Sequence, residues 1–375
     1  MTPSSGNPLW ATGDGLALPA LDGALDADVC VVGLGGSGLV CLRELCRLGV
    51  RAVGLDAGIV GGGAAGRNGG FLLAGLAAFY HDAVDRYGAD RTRRMYQLTL
   101  DEIDRISEET PDSVVRGGSL RVAESSEERA DCVRQVRVMR ADGLVAEAYD
   151  GPQGVGILVP GDGTFHPLDR CHALATAAID GGARLFERSP VVSVAPADVR
   201  TSSGGVRARR TVVAVDGALD LLLPELAPEV RTARLQMLAT APTREVRFDR
   251  PVYARWGYDY WQQRPDGAIA LGGARDVGGD AEWTHETSTS DVVQAALEHR
   301  LRERLGVHAP ITHRWAASVS YTADELPIVR EVRPGVWVIG GYSGTGNVIG
   351  SLLGRGMARW LVRGDDSLLR PFIMR

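Results

Sequence analysis

The first 60 residues alternate between apolar runs and one amphipathic stretch. Residues 28–32 include Val29-Cys30-Val31-Val32, an apolar run typical of a strand buried on both faces of a parallel sheet. A helical pattern follows over 37–48, and a second apolar strand over 51–56 ends at Asp56. This order predicts a compact strand–helix–strand unit.

The pattern changes further along the chain. Amphipathic helices are predicted at about 82–109 and 126–143, and another from Pro167 to Gly182. Residues 231–275 instead alternate with the two-residue period of antiparallel strands, and Arg264-Pro265-Asp266-Gly267 predicts a hairpin turn. The chain then ends in a second strand–turn–helix, so parallel-type and antiparallel-type segments are interleaved.

These two kinds of segment predict two domains, for which 375 residues are sufficient. The first 26 residues are rich in Gly, Pro and Ala, and we interpret them as a leader on the surface. The predicted division is a leader at 1–26, a discontinuous nucleotide-binding domain at 27–100, 165–225 and 326–375, and a mostly antiparallel second domain at 101–164 and 226–325.

A glycine motif joins the first strand to the first helix. Gly33 permits a tight turn, Gly35 lets a diphosphate approach the backbone, and Gly38 allows close packing of helix on strand. The helix start offers free N–H groups to phosphates, and Asp56 offers a carboxylate to ribose hydroxyls. This motif alone does not distinguish NAD from FAD, and an ordinary structural turn is the alternative.

Two further segments are rich in glycine. Residues 61–70 surround Arg67-Asn68, and residues 340–346 precede an apolar helix at 348–361. The first segment is either a flexible hinge or a loop that crosses a diphosphate and the edge of an isoalloxazine ring. The second is either an ordinary connection or a helix start whose dipole stabilises negative charge on reduced flavin. Glycine turns at both ends of one chain predict a cofactor with two ends to hold, FAD.

The segment Tyr253–Trp261 concentrates aromatic side chains in a chain that is only 6% aromatic. Such a segment either encloses an amine by packing and cation–π attraction or packs in the core of a sheet. A single strand over this segment would place Trp256, Tyr258 and Tyr260 on one face and Arg255, Asp259 and Trp261 on the other.

Composition narrows the class of protein. A net charge of −6 argues against nucleic acid or an anionic membrane as a partner. All 41 basic residues are arginine, which excludes a Schiff-base lysine. No basic residue precedes Arg43, no run of 18 apolar residues occurs, and the five cysteines lack CxxC spacing, so we expect a cytoplasmic protein with reduced thiols. His81, His166 and His172 form no metal-ligand cluster, so no metal is expected.

Together, these motifs resemble the D-amino-acid-oxidase-like family of FAD flavoenzymes along nearly the whole chain. The resemblance includes Pro8-Leu9-Trp10, Thr322-Ala323-Asp324-Glu325-Leu326-Pro327 and Gly341-Tyr342-Ser343-Gly344. The loop Gly66-Arg67-Asn68-Gly69-Gly70 is most similar to the γ-glutamylputrescine-oxidase-like branch, whose members oxidise amines. The resemblance implies an α/β fold, in which a Rossmann-like FAD-binding domain of the glutathione-reductase type carries an inserted, mostly antiparallel β substrate domain.

The resemblance also implies positions for FAD. The backbone of Val191 would meet the adenine, and residues 344–348 would meet the flavin. With the motifs above, the predicted cofactor-binding residues are Gly33, Gly35, Gly36, Ser37, Gly38, Asp56, Ala57, Ala65, Gly66, Arg67, Asn68, Gly69, Gly70, Val191, Asp216, Gly217, Gly344, Thr345, Gly346, Asn347 and Val348.

Three departures from the family pattern shape the expected chemistry. Sarcosine-oxidase-like relatives attach flavin to a cysteine where this chain has Ala316-Ala317-Ser318, so FAD is expected to be non-covalent. Glycine-oxidase-like relatives bind a carboxylate with arginine where this chain has Val319. Because a buried unpaired carboxylate is costly, an α-amino acid would need Arg255 or Arg67. Ala270 stands in place of a lysine that assists oxygen in some oxidases.

We therefore expect oxidation of the C–N bond of a primary or secondary amine to an imine, with hydride passing to flavin N5 and electrons then to O2 or another acceptor. The candidate catalytic residues are Tyr258, Trp261, Arg255 and Tyr342. An α-amino-acid oxidase or dehydrogenase and a flavin-binding protein without turnover are the alternatives. The oligomeric state stays open.

Overall fold

The computed structural model describes residues 4–11, 13 and 15–373, so parts of the predicted leader (1–3, 12 and 14) and the last two residues lie outside the description. Its α-helices are α1 Gly36–Arg47, α2 Ala64–Arg67, α3 Tyr80–Tyr87, α4 Ala89–Glu109, α5 Ser126–Ala141, α6 Pro167–Asp180, α7 Leu219–Leu222, α8 Arg275–Gly278, α9 Asp291–His299 and α10 Ile349–Arg363. Its strands are β1 Ser4–Ser5, β2 Gly23–Val32, β3 Ala52–Leu55, β4 Phe71–Leu72, β5 Val114–Arg116, β6 Ser119–Val122, β7 Glu147–Gly151, β8 Gly154–Val159, β9 Gly163–Phe165, β10 Arg184–Phe186, β11 Val191–Ala195, β12 Asp198–Thr201, β13 Gly204–Val213, β14 Val230–Thr240, β15 Val252–Ala254, β16 Asp259–Gln263, β17 Ile269–Gly273, β18 Ile311–Thr322, β19 Ile328–Arg333 and β20 Val336–Gly340.

The first sheet is built on parallel strands. Its order is β10-β3-β2-β13-β12-β11, with β20 beside the second half of β13 and β19 beside β20. Strands β10, β3, β2, β13 and β20 run parallel, and α1, α6 and α10 bury their apolar faces against one side. Val31 and Leu55 are fully buried because both faces of the sheet are covered. The predicted strand–helix–strand unit is the middle of this sheet.

The second sheet is mostly antiparallel. Its order is β1-β18-β14-β17-β16-β15-β6-β8-β7, and only β1 with β18 and β15 with β6 pair in parallel. Helix α9 covers one face through Val293 and Leu297, while Leu235 and Met237 of β14 lie on the other face. The alternation of β14 thus divides its side chains between a core and a cavity. The predicted α/β fold class, with a Rossmann-like and an antiparallel sheet, is confirmed. The boundaries of the two domains remain a prediction.

The predicted helix over 82–109 is wrong in one respect. The chain forms two helices, α3 and α4, separated by Gly88, which adopts a φ of +84°. A left-handed residue ends one helix and lets the next begin in a new direction. A one-residue break of this kind does not disturb the apolar spacing that predicted a single helix.

The prediction of one strand over Tyr253–Trp261 is also wrong. Strand β15 ends at Ala254, and Arg255 and Trp256 adopt left-handed φ angles of +54° and +52° before β16 begins. The segment is therefore a hairpin, in which Tyr253 pairs with Tyr260 and their rings stack 5.7 Å apart. The turn interrupts the strand but keeps the predicted division of side chains. Trp256, Tyr258 and Tyr260 line the cavity described below, whereas Arg255, Asp259 and Trp261 do not.

Candidate active site

The three glycine-rich segments meet at the carboxyl edge of the parallel sheet. Asn347, just before α10, donates from Nδ2 to Asn68 Oδ1 at 3.1 Å and to the carbonyl of Phe71 at 2.9 Å. At the other end of the loop, the N–H of Gly61 donates to the carbonyl of Leu34 at 3.0 Å. Residues 61–70 therefore bridge the first glycine turn and the last one, which lie some 300 positions apart in the sequence.

A cavity of about 1110 Å³ separates this edge from the antiparallel sheet. Typical small-molecule sites enclose roughly 300–1000 Å³, so this cavity has room for a large cofactor and a substrate. The predicted site residues that line it are Gly33, Gly35, Gly36, Ser37, Asp56, Ala57, Ala65, Arg67, Asn68, Gly69, Val191, Asp216, Gly217, Tyr258, Tyr342, Gly344, Thr345, Gly346, Asn347 and Val348.

The turn between β2 and α1 needs glycine for steric reasons. Gly33 adopts a φ of +105°, and a Cβ there would lie 2.5 Å from the carbonyl oxygen of Ala214. A Cβ on Gly38 would lie 2.0 Å from the carbonyl oxygen of Gly33. Helix α1 has no side-chain cap at Gly35 and no acidic residue in its first turn. Its first N–H groups are therefore free to bind an anion in the cavity.

Asp56 follows β3 and faces the same cavity. Its Oδ2 accepts a hydrogen bond from the N–H of Leu34 at 2.7 Å, and its Oδ1 accepts one from the N–H of Gly58 at 2.8 Å. Burial raises the pKa of this carboxyl, against the effect of those two donors. A carboxylate has about four acceptor sites, so two remain for ribose hydroxyls.

Asp216 joins the C-terminal turn to the antiparallel sheet. Its Oδ1 accepts from the N–H groups of Gly341 at 2.8 Å and Tyr342 at 3.2 Å, and its Oδ2 accepts from the N–H of Ser320 at 3.2 Å. Burial nevertheless raises the pKa of Asp216 to about 6, because the cost of removing the carboxylate from water outweighs these three hydrogen bonds. The turn that leads to residues 344–348 is thereby fixed in place.

Two tryptophans and Arg67 position the loop over 61–70. Trp10 Nε1 donates to the carbonyl of Asn68, and Trp315 Nε1 donates to the carbonyl of Arg67, both at 2.7 Å. The guanidinium of Arg67 donates to the carbonyls of Ala316, at 2.9 Å from Nε, and Gly6. The guanidinium of Arg67 therefore binds backbone carbonyls, although the sequence suggested it as a ligand for a substrate carboxylate.

The lining of the cavity fits FAD. The free N–H groups of α1 suit the diphosphate, and residues 344–348 line the same cavity where α10 begins. Tyr342 packs against Gly346 and Gly350 and lines the cavity, and its buried ring lies beside Ser37 at the start of α1.

Four tyrosines form the opposite side of the cavity. This aromatic wall consists of Tyr253, Tyr258, Tyr260 and Tyr321. Burial raises the pKa of Tyr253 to about 12 and also raises the pKa values of Tyr260 and Tyr321. These three phenols therefore stay protonated near neutral pH and can donate hydrogen bonds rather than accept protons.

Two arginines that the sequence reasoning missed also line the cavity. The guanidinium of Arg275 lies 5.6, 4.7 and 5.0 Å from the ring centroids of Tyr258, Trp283 and Tyr321. Arg121 lies 5.2 Å from the ring of Phe79. Neither has a carboxylate within 4 Å among residues 4–11, 13 and 15–373. No local signal could have singled out Arg275, because its aromatic neighbours come from three separate segments.

Five predicted site residues do not line the cavity. Three of them, Gly38, Gly66 and Gly70, are closely packed against backbone carbonyls. Arg255 pairs with Asp259, at 2.9 Å, and with Asp276. Trp261 is 4% exposed and packs in the core under α9, because β16 directs alternate side chains to opposite faces. Arg255 and Trp261 are therefore not placed where a substrate would contact them.

Comparison with known proteins identifies the family. The sequence matches the DAO family, described as FAD dependent oxidoreductase, over residues 28–360. The chain belongs to this family. Gamma-glutamylputrescine oxidoreductase of Escherichia coli is 28% identical over 382 residues, which cover 94% of this chain and 87% of that protein. The probable oxidoreductase OrdL of Haemophilus influenzae is 24% identical over 390 residues, with the same two coverages.

Solved structures agree on the fold. Glycine oxidase from Geobacillus kaustophilus superposes with a TM-score of 0.75 at 21% identity, covering 91% of this chain and 95% of that one. The family predicted from the sequence is thus confirmed, and FAD is the cofactor that the family implies. Within the described residues, no cluster of His, Cys, Asp and Glu could hold a metal ion, and no helix is long and apolar enough to span a membrane.

Proposed function

We propose that this FAD-dependent oxidoreductase oxidises the C–N bond of a primary or secondary amine to an imine, with FAD held non-covalently. When held at the glycine turns, FAD would supply N5 as the acceptor of a hydride from the carbon next to nitrogen. The nitrogen lone pair would form the C=N bond, the N–H proton would leave to water, and O2 or another acceptor would take up the two electrons. One observation carries the proposal: a single cavity has the glycine turns on one side and the aromatic wall on the other.

The side chains around the cavity suit a neutral amine. Hydride departure requires the nitrogen lone pair, so the substrate reacts unprotonated and needs placement more than a strong base. Leu235, Met237 and Val319 supply apolar surface that excludes water. Asp82 and Glu325, 48% and 40% exposed, also line the cavity and would attract a protonated amine before it enters.

The relatives partly support an amine as the substrate. The Escherichia coli relative is named for a reaction of γ-glutamylputrescine, an amine, and its similarity extends over most of this chain. The position that binds a carboxylate in glycine-oxidase-like proteins is Val319 here, and this residue lines the cavity. An apolar side chain at this point favours a substrate without a carboxylate beside the reacting carbon.

Oxidation of an α-amino acid is the second candidate, and one observation favours it. The sequence offered Arg255 and Arg67 as carboxylate ligands, but Arg255 pairs with two aspartates and Arg67 donates to backbone carbonyls. Arg275 and Arg121 face the cavity instead, without ionic partners in the described chain. A substrate carboxylate would neutralise either of them.

Anaerobic stopped-flow reduction of the holoenzyme separates these candidates. We expect primary or secondary amines to bleach the oxidised flavin absorbance with a saturable rate, faster than α-amino acids of similar size. Quaternary ammonium analogues of the same amines are the matched control, because they have no lone pair and should leave the spectrum unchanged. Faster reduction by amino acids would establish the second candidate. A spectrum that no panel bleaches would indicate a flavin-binding protein without turnover.

A further inference from the structure

A buried guanidinium lies beside the start of α1. Arg170, on α6, has 3% of its surface exposed and lines the cavity together with Gly36 and Ser37. Its Nη1 lies 3.9 Å from the point that a Cβ on Gly36 would occupy. Gly36 is the first residue of α1, whose free N–H groups already provide a partial positive charge. Two positive features therefore converge on one point of the cavity.

Arg170 has little hydrogen bonding within the protein. Its Nη2 donates to Ser351 Oγ at 3.1 Å, and its Nε is buried without an acceptor in the described part of the chain. No carboxylate of residues 4–11, 13 or 15–373 lies within 4 Å of its nitrogens. Arg170 thus differs from an ordinary buried arginine, which is paired.

The nearest buried carboxylates already have a partner. Arg355 of α10 lies 3.0 Å from Glu102 and 3.1 Å from Glu109, and Glu109 also pairs with Arg43. These pairs account for both carboxylates that act electrostatically on Arg170. Arg355 therefore provides an internal comparison, since it is a buried arginine of the same region with its counter-ions in contact.

Burial of an unpaired cation opposes folding. Burial lowers the pKa of Arg170, which reflects the cost of removing its charge from water, but a guanidinium remains protonated in proteins. An anion in the cavity would offset that cost and would also accept from the N–H groups of α1. The diphosphate of FAD carries the required charge and is the part of the cofactor expected at this turn.

We propose that Arg170 donates charge-assisted hydrogen bonds to the diphosphate of FAD and so completes the anion site at the start of α1. This inference depends on FAD binding by the family and not on the amine reaction, so either can fail without the other.

The test compares two buried arginines in apoprotein prepared by stripping FAD from the purified holoenzyme. For Arg170→Met we expect the affinity for FAD, measured by quenching of flavin fluorescence, to fall by about 10- to 100-fold, the effect of one hydrogen bond to a charged group. Affinity for riboflavin, which has no phosphate, should change less than about threefold. Arg170→Lys, which keeps the positive charge, should recover most of the affinity for FAD.

Thermal unfolding of the same apoproteins gives a readout independent of activity. Arg170→Met should leave the melting temperature unchanged or raise it, because an unpaired buried charge has been removed. Arg355→Met should lower it, because Glu102 and Glu109 lose their partner. Unchanged affinity for FAD, an equal loss for FAD and riboflavin, or an apoprotein of Arg170→Met that is less stable or does not fold would each overturn the proposal.

Discussion

The two sides of the cavity are built differently. Most of the lining on the proposed nucleotide side comes from three short glycine-rich segments, 33–38, 61–70 and 344–348, joined by the side chains of Asp56 and Arg170. On the other side, the aromatic wall and Arg275 are single side chains contributed by β15, β16, β18, α8 and the turn before β16. A site built from backbone groups can be recognised from consecutive residues of the sequence. A site built from side chains on several strands forms only when those strands pair.

Two buried carboxylates outside the cavity differ in how their charge is compensated. Glu44 of α1 accepts hydrogen bonds from Arg47 and Arg359 at 2.9 Å each. Among the described residues, Asp162, after β8, has only neutral donors, the N–H of Ala74 at 2.8 Å and the hydroxyl of Ser119 at 2.6 Å. Arginines of the protein therefore neutralise the carboxylate of Glu44, whereas the carboxylate of Asp162 is stabilised by uncharged donors alone in the described chain.

The largest expected effect comes from breaking the backbone site. In Gly38→Val the new Cβ would meet the carbonyl oxygen of Gly33 at 2.0 Å, and neither backbone segment can yield. We expect FAD binding to weaken by about 100-fold or more, since overpacking of this kind costs about 3 kcal/mol. Gly117→Ala is the control outside the cavity, because a Cβ there would meet no atom closer than 3.9 Å. Equal FAD affinity in the two variants would contradict a backbone site.

The second prediction concerns the side-chain site. Arg275→Gln should lower kcat/KM for carboxylate-bearing substrates by about 10- to 100-fold, and should change it little for amines without a carboxylate. Arg231→Gln is the matched control, because Arg231 lies 4.0 Å from the ring of Trp283 but pairs with Asp280 and does not line the cavity. Steady-state kinetics on both substrate panels measures the difference. If Arg275→Gln affects both panels alike, this arginine does not select a carboxylate.

The third prediction uses the pH dependence of stability to distinguish Asp162 from Glu44. Burial raises the pKa of Asp162 to about 6, so the free energy of unfolding falls as the pH rises from about 4 to 6. For Glu44, burial opposes ionisation, but the hydrogen bonds from Arg47 and Arg359 outweigh it and lower the pKa to about 2. Its contribution is therefore present above about pH 4.5 and is lost only as the pH falls toward 2.

At pH 7 the free energy of unfolding should change in opposite directions in Asp162→Asn and Glu44→Gln. At pH 7, Asp162→Asn should raise the free energy of unfolding by about 1–2 kcal/mol, and Glu44→Gln should lower it by about 2 kcal/mol. At about pH 4 the gain from Asp162→Asn should nearly vanish, whereas most of the loss from Glu44→Gln should persist. Urea unfolding at both pH values provides the measurement, and effects of the same sign would refute the contrast.

The last prediction, with the smallest expected effect, concerns the attachment of flavin: we expect no covalent bond between the protein and the flavin ring. Ala317 and Ser318 line the cavity where some relatives have a reactive cysteine, and burial raises the pKa of the Cys171 thiol, which also lines it, to about 11. An unreactive thiol of this kind does not attack a flavin ring. Acid precipitation should therefore leave a yellow supernatant, and flavin absorbance in the washed pellet would disprove non-covalent binding.

Prediction succeeded where the local pattern of residues carries a signal and failed where it carries none. The strand–helix–strand unit, the hairpin at 264–267 and the fold class agree with the structure, because spacing within a few residues determines them. The strand over Tyr253–Trp261 was wrong, because two left-handed non-glycine residues carry no signal in the sequence. The predicted roles of Gly33, Asp56 and the other cofactor-binding residues remain predictions, although most of them line one cavity.

The sequence by itself predicted a dinucleotide site at the glycine turns, because the requirement for glycine at Gly38 comes from Gly33, only five positions earlier. Only the tertiary structure decided which arginines are available. Forty-one arginines look alike in the sequence, and whether one is neutralised depends on carboxylates and rings that arrive from distant segments. Arg255 pairs with carboxylates and Arg67 with backbone carbonyls, while Arg275, Arg121 and Arg170 face the cavity with no carboxylate of the described chain within 4 Å. Whether an arginine has a carboxylate within a few ångströms is decided only when the chain has folded and distant segments have packed together.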